Sequence, residues 1–149
     1  MSIVGILLLA GAWVAGYICC EFRDGFLYAE TVLSLAEIQQ ELLRFDITIP
    51  DDACGLNYCV ISNLDSAYYL TFRLDRKKFD GFLRTIPERY GVRKSEKWYF
   101  PPLVSKRGND VSWWVPPGSA DAEYYSGSGQ VRIAYDPAKE IVYLYCFTI

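Results

Sequence analysis

The sequence contains no histidine, one methionine and no run of lysine or arginine. The lack of histidine removes the commonest general base and the commonest zinc ligand. Fifteen basic residues against 18 acidic ones give a net charge of −3, which argues against nucleic-acid binding, because that function normally requires an excess of positive charge. The five cysteines show no C-x-x-C spacing. We therefore expect no metal or other cofactor and no nucleic-acid partner.

Charged side chains are also absent from the first twenty residues, of which 16 are hydrophobic. A helix of 18–20 residues is roughly 27–30 Å long, which is about the thickness of the hydrocarbon core of a bilayer. Such a helix satisfies all of its backbone hydrogen bonds internally. The pattern predicts a transmembrane signal anchor over residues 1–20, followed by a single domain over residues 21–149.

Other interpretations of residues 1–20 remain open. The segment could be a buried core helix or strand. A cleaved secretory signal normally has a positively charged amino-terminal region and a small-x-small cleavage site, which are not clear here. Lipidation at Cys19 or Cys20 is a further alternative. By analogy with other short signal anchors, we expect a single pass through the cytoplasmic (inner) membrane, with the globular domain on the extracytoplasmic side.

The rest of the chain has the patterns of one α+β domain. The capping box between Ser34 and Glu37 predicts an amphipathic helix over 34–45. Asp75 can cap a second helix, which Pro87 ends. Strands are predicted at 56–61, 67–74, 130–135 and 140–147, the last of them apolar on both faces. We expect an antiparallel sheet of about four or five strands with two helices packed on one face.

The region rich in aromatic residues and prolines, residues 97–129, shows no hydrophobic periodicity, and we call it the aromatic–proline segment. Its consecutive residues Trp113 and Trp114 point to opposite sides if the chain is extended, so one can anchor the core while the other lies near the surface. Trp and Tyr dominate binding hot spots, and acidic groups steer basic partners. The predicted contact residues are Trp113, Trp114, Tyr124 and Tyr125, and the predicted steering residues are Asp110, Asp121 and Glu123. The alternative is that both tryptophans only cover the open face of the sheet.

One resemblance is carried by Ile49-Pro50, the strand at 67–74, the helix with Phe79 and Phe82, Trp98 with Pro101-Pro102, Trp113-Trp114 with Pro116, and the hairpin of Tyr135-Asp136 and Val142-Tyr143-Leu144. In the order of these features, about two thirds of the chain resembles small uncharacterised membrane-anchored proteins of the bacterial envelope. In size, location and aromatic content it also resembles periplasmic immunity proteins. That resemblance implies a non-enzymatic domain that binds and neutralises a secreted, basic toxin, and it transfers no site residue.

Two other functions stay open. An envelope domain that binds a ligand or acts as an enzyme would need a pocket between the sheet and the aromatic loops, with polar groups such as Arg73 and Asp136 converging on it. The second open function is that of a structural subunit of a larger membrane complex. Without histidine, a nucleophilic hydrolase would lack its usual base, so we expect no catalytic residues and no enzyme.

For Cys54, Cys59 and Cys146 we expect buried thiols, although an extracytoplasmic domain could form one disulfide among them.

Overall fold

The computed structural model describes residues 27–28, 34–62, 65–96, 100–101, 103, 111–118 and 120–148. The signal anchor predicted at residues 1–20, with Cys19 and Cys20, lies outside these described residues. Within the described ranges, no helix is both long and apolar enough to cross a bilayer.

In the part of the chain that the structure describes, seven strands form a single sheet in which every neighbouring pair is antiparallel, in the spatial order β1-β2-β3-β7-β6-β5-β4. This confirms the predicted α+β class and the antiparallel sheet. The sheet has more strands than the expected four or five, because the three shortest ones, β1, β4 and β5, are too short to show alternation in the sequence. The strands are β1 (Leu27–Tyr28), β2 (Cys54–Ser62), β3 (Ser66–Arg73), β4 (Arg93–Ser95), β5 (Glu123–Ser126), β6 (Val131–Asp136) and β7 (Ile141–Phe147).

The first predicted helix is present as α1 (Leu35–Leu42), which continues into a 3-10 turn at Leu43–Phe45. The capping box forms as expected, since the Ser34 side chain accepts from the Glu37 backbone N–H and Glu37 accepts from the Ser34 backbone N–H at 2.8 Å. Beyond the helix, the Gln39 amide donates to the Ile47 carbonyl at 2.9 Å and accepts from the Ile49 N–H at 2.8 Å. This amide therefore satisfies backbone groups of a loop that has no strand partner of its own.

The second predicted helix is α2 (Arg76–Thr85), and the Asp75 carboxylate caps it by accepting from the Lys78 N–H at 2.9 Å. Its buried residues Phe79 and Phe82 face the sheet, where the Phe79 ring stacks on Tyr135 with 4.2 Å between centroids. Both helices pack on the same face, as predicted, and share one core. That core includes Ile38, Leu42, Phe79, Phe82, Tyr68, Leu70, Phe72, Ile133, Tyr135, Val142 and Leu144.

The opposite face of the sheet is covered by the aromatic–proline segment. Tyr69, Tyr143 and Tyr145 point to this side and form a second core with Phe100, Leu103, Val111 and Trp114. The domain therefore has three layers, with the sheet between the helices and the segment. Strand β7 is the middle strand and is buried on both faces, which confirms the prediction of a doubly covered strand. One part of the segment, β5, is itself a strand rather than a loop.

The cysteines of the strands are separated by the sheet. Cys59 belongs to the core under the aromatic–proline segment, whereas Cys146 belongs to the core under the helices. The two sulfur atoms therefore cannot form a disulfide with each other. Burial raises the pKa of the Cys146 thiol, which keeps it protonated and inert at neutral pH. The expectation of buried thiols is confirmed for Cys59 and Cys146 but is wrong for Cys54, which is exposed at the start of β2.

A close backbone contact joins the turn after β5 to the 3-10 turn Glu88–Tyr90 that follows α2. The Ser128 N–H donates to the Tyr90 carbonyl at 2.7 Å, and a Cβ atom on the neighbouring Gly127 would overlap that same carbonyl oxygen. Only glycine fits at residue 127 unless the backbone shifts. By contrast, a Cβ atom on Gly81, within α2, meets no atom within 4 Å.

We predict opposite effects of alanine at these two glycines. Gly127→Ala should lower the free energy of unfolding by about 1–3 kcal/mol, because its methyl group is forced against rigid backbone. Gly81→Ala should raise it by about 0.5–1 kcal/mol, because alanine is the better helix former and has room. Chemical denaturation followed by circular dichroism measures both. A Gly127→Ala protein as stable as the wild type would contradict the described contact.

Candidate functional site

An open groove lies between the sheet and the aromatic–proline segment, at the end of the sheet where β3 ends and β7 begins. Its volume is about 590 Å³, which falls in the range of about 300–1,000 Å³ typical of ligand sites. Among the described residues, the groove is the place where the cover over this face is incomplete. We consider it the candidate functional site.

The floor of the groove is a polar row across three strands. Asn57 of β2 is paired with Thr71 of β3, and Thr71 is paired with Tyr143 of β7, so the three side chains lie side by side on one face. The Asn57 amide donates to the Thr71 hydroxyl at 3.0 Å and to the Gly55 carbonyl at 3.3 Å. Thr71 and Tyr143 are each only 3% exposed. A row of buried polar groups on an otherwise aromatic face is a chemically specific surface.

The Tyr143 hydroxyl is held in its protonated form. Desolvation by burial raises its pKa above the ordinary value, and the negative charge of Asp136 acts in the same direction. No hydrogen bond joins this hydroxyl to any residue that the structure describes. It is therefore available as a hydrogen-bond donor at neutral pH.

The two consecutive tryptophans have different surroundings, one in the core and one near the surface. Trp114 is 5% exposed, and its ring packs edge-on against Tyr69 at 5.0 Å and Tyr143 at 5.8 Å between centroids. Its indole N–H donates to the Pro101 carbonyl at 3.1 Å. Trp113 is only partly buried and forms a wall of the groove. The prediction that one tryptophan anchors the core and the other lies near the surface is confirmed.

Two cations line the mouth of the groove. Lys139 already has a counterion, since its ammonium nitrogen lies 3.4 Å from a carboxylate oxygen of Asp136. Arg73 is exposed, and within the described ranges no carboxylate lies within ion-pair distance of its guanidinium. A methyl group placed on Gly55, which has φ +61°, would lie 3.7 Å from the Arg73 Cγ and Cδ atoms, so the arginine stem runs along this backbone. Among the described residues, the mouth therefore carries one positive charge without a carboxylate partner, that of Arg73.

The two polar groups predicted for a pocket have different positions. Arg73 lines the groove, whereas Asp136 does not. The Asp136 carboxylate is buried and accepts from the backbone N–H groups of Ala138 at 3.1 Å and Lys139 at 3.3 Å. It stabilises the turn between β6 and β7 rather than facing a ligand.

The predicted contact residues do not form one surface. Trp114 and Tyr124 are buried, and the Tyr124 hydroxyl donates to the Pro117 carbonyl. Tyr125 points to the helix side of the sheet, where its ring lies 5.7 Å from Phe79. Because neighbouring residues of a strand face opposite sides, the tyrosine pair is split between the two cores. Of the four aromatic residues, only Trp113 borders the groove.

The predicted steering residues are dispersed as well. Glu123 is largely buried on the helix side, where it forms ion pairs with Arg76 and, at 3.5 Å, with Lys94. Desolvation acts to raise the pKa of Glu123, but hydrogen bonds from Arg76 and Tyr125 outweigh it and lower the pKa. Asp121 is exposed, and Asp110 lies outside the described residues. Of the predicted steering residues that the structure describes, Asp121 is therefore the one whose position allows it to attract a basic partner.

Sequence reasoning missed the polar floor and Lys139. The missed signal was in the strands themselves, because Asn57 and Thr71 are polar residues that share a sheet face with Arg73 and with the core residues Cys59 and Tyr69. Among the described residues, no group of three or more Cys, Asp or Glu side chains is placed to hold a metal ion. The described residues of the groove offer hydrogen-bond donors, one cation without a carboxylate partner among them, and an aromatic wall. No protein-family model, curated protein or solved structure matches this chain.

Proposed function

We propose that this chain is a non-enzymatic binding domain of the bacterial cell envelope, and that the groove is its binding site. The observation that carries the proposal is the groove itself, in which an aromatic wall stands over a buried polar row. Ligand sites typically combine apolar walls with a few placed polar groups. The groove has this composition, with Trp113 and Val115 as apolar groups and Asn57, Thr71 and Tyr143 as polar ones.

The chemistry of the floor supports binding rather than catalysis. The Thr71 hydroxyl, a potential nucleophile, has the Asn57 amide as its hydrogen-bond partner. An amide cannot remove a proton from a hydroxyl at neutral pH, so this pair lacks the base that nucleophilic catalysis needs. The Tyr143 hydroxyl, with its raised pKa, is a donor and a poor base. These groups can hold a ligand in place.

We further propose that residues 1–20 anchor the domain to the inner membrane as a single transmembrane segment, with the domain on the extracytoplasmic side. The support is the uncharged stretch of 20 residues, 16 of them hydrophobic. An anchored binding domain would meet ligands that diffuse through the envelope.

The binding proposal predicts where neutral probe molecules collect on the protein. We expect phenol and isopropanol, titrated into the isotope-labelled full chain in detergent, to shift the NMR signals of Asn57, Thr71 and Tyr143 together. The reason is that a polar floor beside an aromatic wall attracts both ends of such probes. Trp113→Ala should weaken the phenol response several-fold, because it removes the wall.

The matched control is Leu43→Ala, which removes an apolar side chain that is 51% exposed outside the groove. It should leave the response unchanged. Probe shifts spread evenly over the surface, with no cluster in the groove, would refute the binding site.

A second candidate is an immunity protein that neutralises a secreted toxin. The observation that favours it is the apolar rim of the groove, where Val115 is 61% exposed beside the partly exposed Trp113. Exposed apolar side chains next to a concave site are typical of surfaces that contact another protein. The exposed Asp121 remains available to attract a basic toxin. In this version the groove accepts a segment of the toxin.

Growth protection tests the immunity role. Proteins encoded beside this chain would be secreted into the periplasm of cells that express it, and a toxin among them should stop growth only when the chain is absent. Trp113→Ala with Val115→Ser should lose protection, while Leu43→Ser should keep it, because Leu43 lies away from the rim. Deletion of residues 2–20 should also abolish protection by removing the anchor. Full protection by the Trp113/Val115 variant would rule out this surface.

A further inference from the structure

We infer that the groove binds a carboxylate carried by a peptide segment, with the Arg73 guanidinium as its anchor and the Tyr143 hydroxyl as a second donor. This inference rests on the proposed binding function and names the chemical class of its ligand. It concerns the mouth and floor of the groove, which neither of the described steering residues, Asp121 and Glu123, lines.

The charge of the groove is opposite to the charge of the whole chain. The net charge is −3, yet the charged residues that line the groove are Arg73 and Lys139. Lys139 is compensated by Asp136 at 3.4 Å, so Arg73 supplies the charge that a ligand would neutralise. An arginine fork matches the two oxygen atoms of a carboxylate. The single positive charge of Arg73, which has no carboxylate partner among the described residues, matches the charge of one carboxylate.

The stem of Arg73 is guided by the backbone below it. Its Cγ and Cδ atoms lie along Gly55, at 3.7 Å from where a Cβ atom would be, and residues 54 to 57 contain an irregularity in the pairing of β2 with β3. A side chain whose stem is already placed loses less conformational entropy when its guanidinium binds. The site is therefore partly preorganised for an anion.

The floor offers both kinds of hydrogen-bonding group that a peptide requires. The Tyr143 hydroxyl has no hydrogen-bond partner among the described residues, and Tyr143 lines the same groove as Arg73, so this hydroxyl is the second donor to the carboxylate. The Asn57 amide uses its N–H groups on Thr71 and Gly55, and its oxygen accepts no hydrogen bond from the described residues. That oxygen can accept from a peptide N–H. The donors of Arg73 and Tyr143 are complementary to a carboxylate, and the neighbouring Asn57 oxygen is complementary to the N–H of the adjacent peptide group.

The shape of the groove favours a chain segment over an enclosed small molecule. Arg73, Lys139 and Val115 are all exposed at its edges, so a bound chain can enter and leave. The Trp113 ring and Val115 offer an apolar surface beside the charge, suited to an apolar side chain next to the carboxylate. The carboxylate could belong to a chain end or to an acidic side chain.

The test compares three peptides on the full chain in detergent. They are acetyl-Ala-Ala-Leu with a free carboxyl end, the same peptide with an amidated end, and acetyl-Ala-Glu-Leu-amide. We expect the Arg73 Nε–H and Trp113 indole NMR signals to shift with either carboxylate-bearing peptide. We expect the uncharged amide to bind about tenfold or more weakly, because a hydrogen bond to a charged group is lost. The first and third peptides distinguish a chain end from an acidic side chain.

Two variants locate the effect. Arg73→Gln should weaken the binding of the carboxylate peptides about tenfold or more, to the affinity of the uncharged amide peptide. It should leave the binding of the amide peptide itself unchanged. Tyr143→Phe removes only the hydroxyl and keeps the packed ring, and it should weaken the binding of the same peptides several-fold. The matched control is Arg84→Gln, which removes an exposed arginine from α2 on the far side of the sheet and should change nothing.

The outcomes separate this inference from the proposed function. If neutral probes collect in the groove but the acid and amide peptides bind equally well, or Arg73→Gln has no effect, the carboxylate inference is refuted and the binding site stands. If neither probes nor peptides shift the groove signals, both are refuted. A tenfold preference for carboxylate that disappears in Arg73→Gln supports the inference.

Discussion

The structure depends on one packing interaction, in which the Trp114 ring of the aromatic–proline segment lies against the sheet. The central strand β7 is buried on both faces, but the two helices cover only one. Without a second cover, Tyr69, Tyr143 and Tyr145 would expose an aromatic surface to water. Trp114 supplies the cover through its contacts with Tyr69 and Tyr143, and its indole N–H is satisfied by the Pro101 carbonyl.

The groove is a consequence of this cover and of where it ends. The segment packs tightly over the aromatic part of the face and leaves the polar row of Asn57, Thr71 and Tyr143 beside it. Trp113, adjacent to the anchored Trp114, is thereby positioned as a wall. Asn57 and Thr71 are hydrogen-bonded to each other, whereas the Tyr143 hydroxyl has no hydrogen-bond partner among the described residues. Because a largely buried polar group is costly without a partner, a ligand that accepts from this hydroxyl would be stabilised in the groove.

The sequence predicted the regular elements well, because their signals are local. The capping box at Ser34, the cap at Asp75 and the hairpin around Pro137 depend on residues a few positions apart. The short strands β4 and β5 escaped prediction because three or four residues show no period, and β5 separates Tyr124 from Tyr125 onto opposite faces. A pocket between the sheet and the aromatic loops with Arg73 in it was predicted, but its polar floor was not. The floor depends on strand register, which places Asn57 beside Thr71 and Tyr143 although they are far apart in the chain.

The most direct test of this account compares the unfolding of Trp114→Ala and Trp113→Ala in the full chain by chemical denaturation and circular dichroism. If Trp114 holds the cover on the sheet, its removal should lower the free energy of unfolding by about 3–5 kcal/mol. Removal of the partly exposed Trp113 should cost about 1 kcal/mol or less. Equal losses for the two variants, or a loss below about 1 kcal/mol for Trp114→Ala, would contradict the account.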